Sequence, residues 1–107
     1  MTEKTNIIAG YLNAFAHEAL TISTAVKILT ATKYTNSENQ FAKRAVITIE
    51  TNAPIRYTYD GTTPSTTVGH RANPTDVIIL NTASNIKNFK ATKQGATDGK
   101  IMVTYEI

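Results

Sequence analysis

Over residues 45–50, Ala45, Ile47 and Ile49 alternate with Val46, Thr48 and Glu50, and over 101–107 Ile101, Val103, Tyr105 and Ile107 alternate with Met102, Thr104 and Glu106. A period of two marks a half-buried β-strand. The same period predicts a strand over 26–33, where Val26 and Ile28 oppose Lys27 and Leu29. Another is predicted over 55–59, with Ile55, Tyr57 and Tyr59 on one face and Arg56 and Thr58 on the other. Residues 77–80 are all apolar, as in a strand covered on both faces. Residues 85–92, anchored by Ile86 and Phe89, read as a strand with a bulge because the anchors break strict alternation. Turn clusters at 36–39, 52–54, 60–65 and 94–99 separate these runs. Short strands punctuated this often predict a single antiparallel β-sandwich of immunoglobulin or fibronectin type, with a core of Ile28, Ile47, Ile49, Tyr57, Ile79, Phe89, Val103 and Tyr105.

Residues 1–20 follow a different rhythm. Ile7, Ile8, Tyr11, Leu12, Phe15 and Ala19 recur at three-to-four spacing, which predicts a short amphipathic helix with Asn6 as its cap and Gly10 as a weak point. So short a helix must dock on something. Either it packs on its own sandwich, taken as residues 21–107, or it is an arm for a neighbouring subunit, with Ile7, Ile8, Tyr11, Leu12 and Phe15 as the docking face.

Composition sharpens this picture. Nineteen threonines against four leucines in 107 residues favour half-solvated strands over helices. With no cysteine, disulfides and thiolate metal sites are excluded. The net charge of +3 is dispersed, and its densest stretch, Lys87, Lys90 and Lys93, lacks the interleaved aromatics of a nucleic-acid platform. Solubility accounts for it, so nucleic acid is not an expected partner. No apolar run approaches the ~18 residues of a membrane span. The first residues do not read as a signal peptide, because Asn13, His17 and Glu18 interrupt the apolar stretch.

The run from Ile55 to Ser65, a strand entering the Asp60-Gly61 turn and then Thr62-Thr63-Pro64-Ser65, is the most specific motif. It resembles the strand and turn of the chitobiase C-terminal-type sandwich module, a non-catalytic domain attached to carbohydrate-active enzymes, and Ile86–Thr92 fits the strand that follows there. The span from about Thr21 to Ile107 more closely resembles small proteins encoded among tailed-phage structural genes. That resemblance is carried by Leu29–Tyr34, Lys43–Glu50, Arg56–Pro64 with Val68-Gly69-His70 after it, Asn88–Ala91 and Val103–Glu106. It implies a virion component made in a bacterial cytoplasm, a capsid decoration or head–tail accessory protein whose partners are the major capsid protein or other virion subunits. A small homo-oligomer, such as a trimer, would suit the local symmetry of a capsid.

Catalytic chemistry finds little support. His17 and His70 have no ligand spacing around them, and Arg71 beside His70 disfavours a metal. Asp60 and Asp76 are the one candidate carboxylate pair, but turn chemistry explains Asp60. No serine has a base and orienter in pattern, and no phosphate-binding loop is present. No enzyme activity and no cofactor are therefore expected. Three further roles are expected: a hydrogen bond from His70 to the Asp60 turn, an Arg56–Glu50 cross-strand pair, and Tyr57 with Tyr59 either as core with a polar rim or as a surface-glycan platform.

Overall fold

A computed structural model of the chain describes residues 12–50 and 53–107. Among the described residues eight strands and two short helices follow one another: β1 (Ala14–Ile22), β2 (Lys27–Ile28), α1 (Ala31–Tyr34), β3 (Arg44–Ile49), β4 (Ile55–Thr58), β5 (His70–Ala72), β6 (Val77–Leu80), α2 (Ala83–Asn88), β7 (Lys90–Lys93) and β8 (Gly99–Glu106). Two four-stranded antiparallel sheets result, sheet A in the order β1-β8-β3-β6 and sheet B in the order β2-β7-β4-β5. The protein is an all-β sandwich. Ile22, Ala45, Ile47, Ile101, Val103 and Tyr105 of sheet A face Ile55, Ala72 and Ala91 of sheet B, with Leu29, Ile86 and Phe89 filling the ends.

β3 and β8 form as their alternation dictates. Ala45, Ile47 and Ile49 pair with Tyr105, Val103 and Ile101 across the centre of sheet A, and all six are buried. β1 is the main correction. Residues 14–22 are a strand, not the end of a helix, and pair with β8 from Ala14↔Glu106 to Ile22↔Gly99 with a bulge near Phe15. The expected boundary after residue 20 thus falls inside a sandwich strand, and Phe15 packs against the core of its own domain. Ile7, Ile8 and Tyr11 lie outside the described residues.

Two expected core residues face outward. Ile28 is 58% exposed because two-residue β2 pairs it with Lys90 while its neighbour Leu29 turns inward. Ile79 is 53% exposed: in β6, Ile78 and Leu80 take the core side, so Val77 and Ile79 lie on the outer face. The strand expected over 85–92 is a helix followed by a strand. Ile86 and Phe89 are three apart because Ile86 lies in α2 and Phe89 is its C-cap, and the Thr82 hydroxyl accepts the Asn85 N–H at 3.0 Å to start the turn. The strand expected over 26–33 stops early, since α1 begins at Ala31.

Glu18 ties three elements together. It projects from β1 on the inner side, where Tyr105 of β8 donates its hydroxyl proton to the carboxylate and Thr30 donates both its N–H (3.1 Å) and its hydroxyl (2.7 Å). Burial, and next the Glu18 carboxylate, push the Tyr105 hydroxyl far above the ordinary tyrosine range. Glu18→Ala would leave the buried Tyr105 hydroxyl without its acceptor, so urea unfolding should show a loss of about 1–3 kcal/mol.

Candidate functional site

At the end of β4 the chain turns through Asp60 and Gly61, runs as a polar loop, and returns as β5, opening a cleft between the two limbs. Thr58, Tyr59, Asp60 and Thr62 line one side and Val68, Gly69 and His70 the other, around a volume of about 340 Å³. Its rings are layered from the core outward. Phe89 is buried, Tyr57 stacks on it (5.7 Å between centroids, 23°), and Tyr59 and His70 lie over Tyr57 (6.3 and 5.5 Å). Tyr59 and His70 are near-parallel, 5.8 Å apart at 21°, and both are exposed. Tyr57 and His70 meet because β4 and β5 place them opposite each other in register.

The loop is built rather than loose. Asp60 Oδ1 accepts the Thr62 N–H at 3.0 Å and Gly61 takes a left-handed φ of 91°, as an Asp-Gly turn should. That backbone N–H, with the Thr62 side chain and the charge of His70 adding to it, holds the Asp60 carboxyl below the usual carboxylate range. Thr58 donates its hydroxyl proton to the Thr62 carbonyl. The Ser65 hydroxyl accepts the N–H groups of Thr67 and Val68 at 3.2 and 3.1 Å. Arg56 donates to the Gly69 carbonyl at 2.9 Å and to the Gln94 side-chain oxygen, and Gln94 in turn donates to the Thr66 carbonyl at 3.3 Å. Gly69 has φ of 112°, and a Cβ there would sit 2.8 Å from the Tyr57 carbonyl oxygen, so only glycine fits the return.

Two expected contacts are therefore replaced. Arg56 braces the loop instead of pairing with Glu50, because β3 and β4 belong to different sheets. His70 stacks on the tyrosines, and among the described residues no hydrogen bond joins it to Asp60. Asp60 and Asp76 each serve their own turn, Asp76 accepting the Asn73 N–H at 2.8 Å. Tyr57 fits the core reading with its hydroxyl at the rim. Burial first, then Tyr59 and Asp76, raises that hydroxyl's pKa above its ordinary value.

A second surface lies on the outer face of sheet A. The register lines up His17, Thr104, Val46 and Ile79 in one row across the four strands, and Ala19, Met102, Thr48 and Val77 in the next. Neither row carries a carboxylate, lysine or arginine. Flanking them are the Arg44–Glu106 ion pair on one side and Lys100 beside Glu50 on the other. Alternation along β3 and β8 places Val46, Thr48, Met102 and Thr104 outward, but the four apolar residues of β6 carry no parity signal to show that the rows continue there.

No family model, curated protein or solved structure matches this chain. Its function is therefore read from these two surfaces. Of the residues expected to matter, the fold brings Tyr57, Tyr59, Asp60, Gly61 and His70 together, and sets Leu12 and Phe15 apart at the entry to β1. Val68 and Gly69 were legible only as a motif, and Thr62 only as part of the turn.

Proposed function

We propose that this chain is a non-enzymatic structural protein of a tailed-phage virion, a decoration protein that binds the assembled coat lattice through the outer face of sheet A. The place of action is supported by the resemblance of residues 21–107 to proteins of phage structural genes. The surface is supported by one observation, the two charge-free rows spanning all four strands, with Val77 56% and Ile79 53% exposed on the outermost of them. A strip that carries Val46, Met102, Val77 and Ile79 without acidic residues, lysine or arginine, and that is framed by charge, has the make-up of an interface core with a polar rim. Burying the open halves of Val77 and Ile79 would contribute about 2 kcal/mol per copy. Repeated across many copies, binding to the assembled lattice and not to its separated subunits stabilises the assembly by mass action. A small homo-oligomer at a local symmetry axis would multiply the contact.

The test pairs a variant with a count. Val77→Lys with Ile79→Lys should keep the circular dichroism of the parent and lose co-sedimentation with coat particles by about a hundredfold, since two cations would have to be buried. Attachment unchanged in that variant would overturn the assignment of the surface. Quantitative mass spectrometry of purified particles should find copies in numbers comparable to the coat protein. A dozen copies would move the protein to the head–tail junction, and none would remove it from the virion.

A further inference from the structure

The cleft beside Tyr59 takes no part in lattice docking by sheet A, and its chemistry suits a different ligand. We infer that Tyr59, His70 and Asp60 form a carbohydrate-binding site for the exposed face of a single pyranose ring, giving the protein an adhesive function as well as a structural one. Tyr59, 41% exposed, stacks with the exposed His70 ring at the mouth, and Tyr57 and Phe89 lie behind the pair. A sugar ring offers C–H groups on one face and hydroxyls around its edge. The aromatic face is a polarised apolar surface that suits the former. Asp60 supplies what the latter need: it is exposed, with one oxygen used by the Thr62 N–H, and an ionised carboxylate accepts hydroxyl hydrogen bonds strongly.

The volume of about 340 Å³ is at the small end for a ligand site and fits a terminal sugar better than a chain. The braces from Arg56, Gln94 and Thr58, and the glycine-only return at Gly69, preform the cleft, so binding would not have to order a loop. The Asp60 carboxylate also selects against the obvious competitor. A nucleic-acid strand stacking on Tyr59 would bring its phosphates toward that negative charge. The expected tyrosine pair is thereby revised: Tyr57 is the support, and the contact surface is Tyr59 with His70.

The experiment is a broad glycan array probed with the whole protein. It is followed by NMR titration of the best terminal monosaccharide, watching the amides of Gly61, Thr62, Gly69 and His70. Binding is expected, with those amides shifting. Tyr59→Ala should weaken it about tenfold or more, while Tyr59→Phe, which keeps the ring, should retain it. Asp60→Asn, which still offers an oxygen to the Thr62 N–H, should weaken binding while leaving the thermal midpoint close to that of the parent. An array with no hits would overturn the site, as would sugar binding that survives Tyr59→Ala. A proline-rich peptide or an oligonucleotide shifting the same amides when no glycan does would assign the cleft to that ligand instead. Val77→Lys with Ile79→Lys should bind sugar normally, so failure of lattice docking and failure of this site are told apart.

Discussion

Phe89→Ala should lose about 3–5 kcal/mol of folding stability, read as a drop in the urea midpoint with an unchanged slope. Phe89 is 1% exposed, caps the C-terminus of α2 and carries Tyr57 on its ring face. Truncation removes the transfer energy of the ring and leaves a cavity that three elements must close on. A small domain has only about 5–15 kcal/mol in hand, so the variant should be partly unfolded at moderate urea. The damage should also travel outward. With its backing gone, Tyr57 would no longer hold Tyr59 and His70 in register, and the cleft should lose its shape before the sheets separate. A loss within about 0.5 kcal/mol, the ordinary range of a surface change, would mean that the aromatic layers are not packed as described.

The second large effect is a contrast between neighbours. Ile78→Ala should cost about 2–5 kcal/mol, whereas Ile79→Ala should stay within about 0.5 kcal/mol. Ile78 is 7% exposed and lies on the core side of β6; Ile79, one residue on, is 53% exposed and paired with Val46 on the outer face. A one-residue slip in a strand exchanges its two faces. The pair of unfolding curves therefore measures the register of β6 directly. If the order of effects reversed, Ile79 would belong to the core, and the apolar rows on sheet A would end at β3.

That contrast also shows where the sequence is silent. β3 and β8 can be read residue by residue because Arg44 and Thr48 mark the solvent side of the first, and Lys100, Thr104 and Glu106 that of the second. β6 cannot, because Val77–Leu80 has no polar residue to fix its parity. β1 misleads more actively. Its alanines and its three-to-four apolar spacing favour a helix, and as a strand it turns Glu18 inward and Ala19 outward, against the usual alternation. Pairing along β8 outweighs that local preference, and the inward carboxylate makes sense only once Tyr105 and Thr30 are seen around it. The cleft was half legible. The Asp-Gly turn and the tyrosine alternation follow from local rules, but the approach of His70 to Tyr57 depends on the β4–β5 pairing across a loop with no periodicity of its own.

The order of strands in sheet A sets a timetable for synthesis. β8 lies between β1 and β3 and is the last of these strands to leave the ribosome, so its two partners emerge with their pairing edges open. Only the short β3–β6 pairing can form before it. β1 must wait for a partner more than eighty residues away, from Ala16↔Tyr105 to Leu20↔Ile101. Folding through so distant a closure is slow, and unpaired strand edges are where nascent chains stick to one another. A chain stopped just short of Gly99 would forfeit two of the sheet's three ladders at once. High-level production should therefore be limited less by the stability of the finished protein than by how long its first strand stays without a neighbour.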